Sequence, residues 1–313
     1  MFLSLVCRRV IHMVVTLILL TLLTFFLLNL SPVDPVEMQL LRQGVAPDPS
    51  LIASMREQYG LDQPVYIQYI RWLLGLFHGD FGYSLAFSQP VSVLVGSAIP
   101  KTAALAFSSL LLSILVTVPL AFAAFHYYRR LPDLVIRILT FVGLAIPTFW
   151  LSLLLIYFFA VKLQLLPVNA RGAQGMILPT VALSVWMCGL YIRRLRGALL
   201  EEYRKNYILG ARTLGLPRSM IWRKYLLPNA LPGVISMLGL TMGNILGGSA
   251  VIETIFGWRG MGELMVDAIL NNDYILMQSY ILWGAGIFIL VNLISDLLCL
   301  YLSPEAREKG GLS

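Results

Sequence analysis

Charged side chains are scarce in this sequence. Asp, Glu, Lys and Arg make up only 12% of its 313 residues, whereas 58% are hydrophobic, and the mean hydropathy is +0.79. A soluble globular chain normally carries about 25% charged residues. The scarcity of charge therefore excludes an ordinary soluble domain and predicts a membrane protein.

Cysteine and histidine are equally few, with three of each. The cysteines are far apart and none lies in the polar segment 31–100, so no disulfide framework is expected there. His78 and Asp80 are only two candidate ligands, whereas a metal site usually takes three or four. We expect no metal and no cofactor of the chain's own.

Catalytic motifs are missing as well. The sequence has no Gly-x4-Gly-Lys-Ser/Thr phosphate loop, so any ATP chemistry must belong to a partner chain. It has no His-Glu-x2-His, no Gly-x-Ser-x-Gly and no paired intramembrane aspartates, which argues against an intramembrane enzyme. The net charge of +7 comes without an aromatic-interleaved basic groove, so we expect no nucleic-acid partner. No catalytic residue is predicted.

Long apolar runs are what the sequence has in abundance. Several approach the ~20 residues that cross a ~30 Å hydrocarbon layer as a helix, and none alternates as barrel strands do. We predict six membrane-spanning helices, at Val10–Leu30, Ala103–Phe125, Leu134–Val161, Ile177–Ile192, Leu231–Phe256 and Ser279–Leu302. The first run is longer than a signal-peptide core and no cleavage site follows it, so we expect it to remain a helix.

The placement of Lys and Arg predicts the orientation of these spans. Of the 23 basic residues, 16 fall on the side that carries the N-terminus. The other side keeps seven: Arg42, Arg56, Arg71, Lys101, Lys162, Arg171 and Arg259. Because short cytoplasmic loops carry the excess of positive charge, both termini are predicted to lie inside.

These predictions define an all-α membrane protein with a distinct organisation along the chain. The expected parts are a transmembrane helix 1–30, an extracytoplasmic segment 31–100, a five-span core 101–303 that includes an inner loop 197–232, and a cytoplasmic tail 304–313. The outer segment is predicted to be partly helical, around Leu51–Tyr59 and Tyr66–Phe77, with Pro-Asp-Pro at 47–49 as a helix start signal.

The inner loop is basic and strongly punctuated. Residues 197–214 predict a helix that ends at Gly215, a residue suited to a left-handed cap. Pro217 suits the first turn of a second helix over 218–227, and Pro228 is expected to end that helix. A compact, self-capped element of this kind is suited to docking on a partner.

This loop resembles the cytoplasmic coupling loop of ATP-binding-cassette (ABC) importer permeases. The general pattern there is Glu-Ala-Ala, three residues, Gly, nine residues and Ile-x-Leu-Pro. Ala211, Gly215 and Leu227-Pro228 match it at the same spacing. The residues that depart from it are Leu209, Gly210 and Tyr225. Such departures are typical of the peptide/nickel branch, whose own form is Tyr-x3-Ala-x3-Gly-apolar, beginning here at Tyr207.

Other segments resemble the same branch. Gly60-Leu61-Asp62-Gln63-Pro64 and Gly79-Asp80-Phe81-Gly82-Tyr83-Ser84 resemble its outer segment. Arg130-Leu131-Pro132-Asp133, leading to Ile146-Pro147-Thr148-Phe149-Trp150, resembles its third span. Glu253-Thr254-Ile255-Phe256-Gly257-Trp258-Arg259-Gly260-Met261-Gly262 resembles the outer loop after its fifth span, with Arg259 where the family usually has Pro.

The resemblance implies a permease in the bacterial inner membrane that works with several partners. These are a second homologous permease subunit, two ATP-binding subunits and an extracytoplasmic solute-binding protein. The residues implied to contact the ATP-binding subunits are Tyr207, Ala211, Arg212, Gly215, Leu216 and Pro217. Dipeptides, oligopeptides, nickel and metal-chelator complexes all remain open as solutes.

Two further groups of residues invite functional interpretation. Gly239, Gly243 and Gly247 recur every four residues and predict close helix packing, or a smooth face lining the translocation path. Glu253 and Asp296 are acids in or near spans, where we favour a structural hydrogen bond or ion pair over a substrate contact. An ion-gradient-driven secondary transporter is the alternative function, although the internal repeats usual for that class are not seen.

Overall fold

A computed structural model describes residues 2–168 and 172–302, and most of them are helical. The predicted tail 304–313 lies outside the described residues. The N-terminal third contains α1 (Phe2–Asn29), α2 (Pro35–Arg42), α3 (Pro49–Tyr59), α4 (Val65–Phe77), β1 (Tyr83–Ser84) and β2 (Gln89–Pro90). The two short strands pair antiparallel and form a hairpin that the sequence did not predict.

The remaining elements follow in nearly unbroken succession. They are α5 (Val91–His126), α6 (Leu131–Ala145), α7 (Thr148–Leu155) with a π-helical continuation (Ile156–Lys162), α8 (Gly172–Gly175), α9 (Ile177–Tyr203), α10 (Asn206–Thr213), α11 (Arg218–Met220) with a π-helical continuation (Ile221–Leu226), α12 (Leu227–Gly248), α13 (Ala250–Phe256), α14 (Met261–Leu270) and α15 (Tyr274–Leu302).

Four of the described helical stretches are long and apolar enough to cross a membrane. They are Ile11–Asn29 in α1, Val91–His126, Arg218–Gly243 and Tyr274–Cys299. A fifth span results if α6 and the helix that follows it are counted together. The predicted fourth span, Ile177–Ile192, lies within α9, which continues to Tyr203.

The predicted third span, Leu134–Val161, is wrong as a single straight helix. Its two halves are bent by 98° at the break between α6 and α7. Ile146 has an extended backbone, with φ −73° and ψ 122°, and Pro147 follows it. Proline offers no N–H and disfavours helical geometry at the residue before it, so the chain leaves the helix there.

The prediction that Pro228 ends a helix over 218–227 is also wrong. The helical path runs from α11 through the π-helical turn into α12, and Pro228 lies in the first turn of α12. Proline has no N–H to donate, and here it lies where the π-helical turn gives way to α12, so the helical path continues past it. Pro232 is likewise accommodated inside α12. The predicted helix over 197–214 is interrupted instead, at Arg204 and Lys205.

The outer segment is folded against the start of the last span. Asp48 caps α3 by accepting from the Ser50 N–H at 2.8 Å, so the start signal at 47–49 is confirmed. The helices predicted around Leu51–Tyr59 and Tyr66–Phe77 are present as α3 and α4. The buried carboxylate of Asp273 accepts from Ser84 Oγ and thereby joins the hairpin to α15.

The core of the bundle is organised around α9. This helix packs on α5, α6, α7 and α12, while α12 also packs along α15. Met187 and Tyr191 are fully buried in the largest apolar cluster. Ser184 Oγ donates to the Ser109 carbonyl at 3.1 Å, which links α9 to α5. Small polar residues at this seam let the two backbones approach closely.

Candidate functional site

The region with the strongest functional signal in the sequence, residues 204–217, folds as a short element between α9 and α11. We call it the inner-loop element. It begins where α9 ends at Tyr203, contains α10, and closes with a tight turn before Pro217, which precedes the first residue of α11. The element is therefore held between two long helices of the bundle.

The turn that closes α10 has the geometry predicted for Gly215. Its φ is +73°, the left-handed region in which residues with a Cβ are strained. The Leu216 N–H donates to the Ala211 carbonyl at 3.2 Å, and the Gly215 N–H donates to the Arg212 carbonyl at 3.0 Å. These two bonds form a Schellman cap, which satisfies carbonyls that the helix end would leave open.

One face of α10 is buried against the bundle. Ile208 is fully buried and Ala211 nearly so, and both pack with Ile221 at the start of the π-helical turn. Leu216 and Tyr225 pack around the same cluster. α10 and the turns leading into α12 therefore share one apolar cluster.

The opposite face of the inner-loop element exposes apolar side chains. Leu209 is 60% exposed and Leu214 is 81% exposed. Both lie in a basic segment, away from the runs that face lipid. These two leucines are the apolar side chains that the element exposes most.

Polar contacts tie the inner-loop element to both flanking helices. The buried Glu202 side chain, near the end of α9, lies 2.7 Å from Lys205 Nζ and accepts from the Tyr207 hydroxyl. Asn229 Nδ2, in α12, donates to the same Tyr207 oxygen at 3.2 Å. Tyr207 thus joins α9, α10 and α12. The sequence pointed to Tyr207 by resemblance but not to Glu202, since a single acid near a helix end carries no distinguishing pattern.

Arg212 makes a further contact within the chain. Its guanidinium carbon lies 4.2 Å from the centroid of the Tyr203 ring. A cation over an aromatic face at this distance is attracted by the ring's quadrupole. Arg212 therefore links the last turn of α10 back to the end of α9, and its side chain remains exposed to a partner.

Gly239 and Gly243 of α12 face α15 of the same chain. A Cβ at Gly239 would lie 2.3 Å from the Ser295 side chain, and a Cβ at Gly243 would lie 2.7 Å from the Phe288 ring. This contact favours the packing interpretation for both residues. Gly247 lies in the same helix, and the surroundings of its side-chain position are outside what the structure describes.

Glu253 is completely buried and organises the loop that follows α13. Its Oε1 accepts from Thr102 Oγ1 at 2.7 Å and from Ser249 Oγ at 2.6 Å. Its Oε2 accepts from the N–H groups of Gly262 at 2.8 Å and Glu263 at 3.1 Å, at the start of α14. A carboxylate fits there because a helix N-terminus presents unpaired N–H groups and a partial positive charge.

Asp296, the second acid singled out in the sequence, is exposed near the C-terminal end of α15. It follows Ser295, which faces α12. In the described parts of the chain, no group of three or more His, Cys, Asp or Glu could hold a metal ion.

An ion pair that the sequence did not reveal lies between the start of α6 and α9. Asp133, in the first turn of α6, is fully buried and receives two hydrogen bonds from Arg196 of α9, at 2.7 and 2.8 Å. In the sequence, Arg196 was counted only among the basic residues that predict the orientation of the spans. The two residues are 63 positions apart, so no local pattern could join them.

Comparison with known proteins identifies the family and the fold of the chain. Residues 117–308 match the family described as the binding-protein-dependent transport system inner membrane component, and residues 1–106 match the N-terminal region described for such components. A probable D,D-dipeptide transport system permease of Escherichia coli is 34% identical, over 92% of this chain and 93% of its own length.

Two further relatives extend along almost the whole chain. A glutathione transport system permease of Salmonella paratyphi A is 34% identical over 98% of this chain and 100% of its own. A metal-staphylopine import system permease of Staphylococcus aureus is 32% identical over 97% of this chain and 98% of its own.

Solved structures share the fold. A chain of the inward-facing methionine transporter MetNI superposes with a TM-score of 0.56 at 22% identity, covering 67% of this chain and 96% of its own. A chain of an amino acid ABC transporter superposes with a TM-score of 0.52 at 20% identity, covering 69% and 94%. The chain therefore shares the fold of these two transporter chains.

The chain belongs to the family of binding-protein-dependent transport system inner membrane components. Within that family it is an inner-membrane permease of an ABC importer of the peptide/nickel branch. The ion-gradient-driven alternative is not supported by any of these matches.

Proposed function

We propose that the inner-loop element receives the conformational change of two ATP-binding subunits and transmits it to the spanning helices. Three observations support this role. Leu209 and Leu214 present an exposed apolar face, while Ile208 and Ala211 lock the other face onto the bundle. Glu202, Tyr207 and Asn229 connect the element to α9 and α12. This connection of the element to α12 is the observation on which the proposal mainly depends.

The proposed topology has six spans with both termini inside. α9, the fourth span in chain order, brings the five candidate spans to six. Its 16 residues from Ile177 to Ile192 precede Arg193 and Arg194. A helix surrounded by other helices of the bundle has little contact with lipid, so it needs less apolar surface than a peripheral span. The positive residues at its end then lie with those of the inner-loop element.

The proposed solute is a small peptide or a compound built from amino acids, including a metal chelate. The relatives are named for the transport of D,D-dipeptide, glutathione and metal-staphylopine. A second permease subunit completes the channel and an extracytoplasmic binding protein delivers the solute. The chain itself is proposed to have no enzymatic activity and to need no cofactor, with ATP hydrolysis left to the partners.

The test is assembly and uptake with a variant of the exposed face. Leu214→Glu should leave the chain folded in the membrane, because Leu214 is mostly exposed, yet reduce both recovery of the ATP-binding subunits and ATP-driven uptake at least tenfold. Leu51→Glu, at an exposed leucine of the outer α3, is the matched control and should leave both unchanged. Uptake by the wild-type chain alone, driven by an ion gradient, would refute the proposal.

A further inference from the structure

A second site, apart from the inner-loop element's exposed face, lies between the start of α6 and the end of α9. We call it the basic pocket; its principal lining residues are Tyr128, Arg129, Asp133, Arg137, Arg196 and Arg204. We propose that the basic pocket binds the phosphate of an anionic phospholipid headgroup from the inner leaflet. The assignment to the inner leaflet rests on the topology given under the proposed function. The binding of phosphate by the pocket does not depend on that topology.

The floor of the basic pocket is a fixed ion pair. Asp133 is fully buried and accepts from Arg196 Nε at 2.7 Å and Nη2 at 2.8 Å, a bidentate geometry. The backbone N–H of Arg129 donates to the same carboxylate at 3.0 Å. Asp133 and Arg196 therefore satisfy each other, and the remaining arginines are left to define the charge of the pocket.

Positive charge exceeds negative charge in the basic pocket. Arg129 lies over the Tyr128 ring at 5.3 Å, and Arg204 Nη2 donates to the Tyr128 hydroxyl at 3.1 Å. Arg137 is half exposed, with its Nε 3.6 Å from Asp133. Only one other acid, Glu201, is among the lining residues, so four guanidinium groups face two carboxylates.

Guanidinium groups of this kind suit a phosphate. Arginine presents a planar fork of donors that matches the oxygens of phosphate, and it is more weakly hydrated than lysine. Basic pockets between spanning helices on the cytoplasmic side are suited to lipid head groups. The side chains of Arg129, Arg137 and Arg204 are all exposed at the mouth, where a headgroup could reach them.

The neighbouring surface of α6 favours a lipid over a soluble anion. Leu134, Ile138 and Phe141 are exposed and form one apolar stripe along α6, which belongs to a candidate membrane span. Arg137 lies one turn from Leu134 and one turn from Phe141, so it borders this stripe. A phospholipid could place its phosphate in the basic pocket and its acyl chains along the stripe at once.

The test is lipid binding by the full chain, purified in detergent from cells that also express the ATP-binding subunits and followed by native mass spectrometry. The probes are phosphatidylglycerol, phosphatidylethanolamine and inorganic phosphate. At about fivefold per arginine, the double variant Arg137→Gln/Arg204→Gln should bind phosphatidylglycerol about 25-fold more weakly than wild type. Arg223→Gln removes an exposed arginine outside the pocket and should bind as wild type does.

Two measurements test whether misfolding, rather than loss of the pocket, explains weaker lipid binding. Both substituted side chains are exposed and the Asp133–Arg196 pair remains. Losing the Arg137–Asp133 ion pair and the Arg204–Tyr128 hydrogen bond should therefore lower the thermal unfolding midpoint of the double variant only slightly. Arg137→Lys, which keeps the charge, should retain phosphatidylglycerol binding within about threefold of wild type, since a lysine still supplies the surface charge.

Three outcomes would overturn the proposal. The first is equal binding of phosphatidylglycerol by wild type and the double variant. The second is displacement of the lipid by millimolar inorganic phosphate, which would assign the pocket to a soluble anion. The third is unchanged lipid binding with loss of the ATP-binding subunits, which would make the pocket a protein contact. Failure of the proposed function would appear separately, as absence of those subunits from the wild-type preparation.

Discussion

The guanidinium of Arg212 lies over the ring of Tyr203, 4.2 Å from its centroid, across the corner between α9 and α10. Tyr203 in turn packs edge-on against Phe125, near the end of α5, with ring centroids 5.3 Å apart. The inner-loop element is thus joined to two long helices at its first corner. A force on α10 would reach both α9 and α5 through this stack.

Breaking the stack should loosen the element without unfolding the bundle. We predict that Arg212→Gln and Tyr203→Leu are coupled by about 0.5–1 kcal/mol in a double-mutant cycle, because Arg212 is exposed and its attraction to the ring is modest. Denaturation of the purified chain measures the free energies of unfolding. Strictly additive effects of the two substitutions would show that the stack contributes nothing to stability.

The turn at Gly215 should be sensitive to any side chain. Gly215→Ala places a Cβ at φ +73° and should cost about 1–2 kcal/mol, although nothing lies within 4 Å of that Cβ. The effect is purely conformational, and ATP-driven uptake should fall with it. Gly210→Ala is the matched control, since its Cβ also meets open space but its backbone is helical, and it should stabilise the chain slightly. Equal behaviour of both variants would contradict the prediction.

The contact between α12 and α15 should be intolerant of added volume at Gly243. Gly243→Ala places a Cβ 2.7 Å from the Phe288 ring and should lower the free energy of unfolding by about 1–3 kcal/mol. Combining it with Phe288→Leu should restore part of the loss. Gly284→Ala, in α15 with open space around its Cβ, is the control. Full stability and normal transport of Gly243→Ala would argue against the packing interpretation.

Glu263 should make stability depend on pH. Burial raises the pKa of its carboxyl above the ordinary 4.5, and the neighbouring Asp267 raises it further. A carboxyl with a higher pKa in the folded state favours folding below pH 4.5 and loses that contribution as the pH rises through its folded-state pKa. Glu263→Gln should therefore raise the thermal unfolding midpoint near neutral pH and flatten its pH dependence above 4.5.

The control for this prediction is Glu57→Gln, at an exposed acid of α3. Its unfolding midpoint should follow the wild-type curve at every pH. If Glu263→Gln also follows that curve, burial of the Glu263 carboxyl has no bearing on the stability of the outer loop.

The predictable parts of the fold were those specified by local residues. Apolar runs located four candidate spans, or five if α6 and α7 count as one, and the Pro-Asp-Pro signal located the start of α3 at Pro49. Gly215 was predictable as a cap because glycine alone adopts left-handed geometry without strain. Whether a proline ends a helix could not be read from the sequence, since Pro147 follows a break between two helices whereas Pro228 lies in the first turn of α12. Its effect depends on which neighbouring N–H groups already lack partners.

Contacts between segments far apart in the chain could not be predicted from the sequence. Asp133 and Arg196, or Glu253 and Thr102, are brought together by packing of helices that are far apart in the chain. Within the inner-loop element, the motif identified Ala211 and Gly215 but could not show that Leu209 and Leu214 point outward. Which face of a short helix is buried depends on the crossing of α9 and α12, which no local pattern encodes.

The central claim is that the inner-loop element touches an ATP-hydrolysing subunit. The most direct measurement is site-specific photo-crosslinking in the intact importer, with the probe at Leu214 and a control probe at Tyr83 in the outer hairpin. We predict a covalent adduct between position 214 and an ATP-binding subunit, and none from position 83. An adduct from 83 with no adduct from 214, or modification of 214 by a reagent confined to the outside, would contradict it.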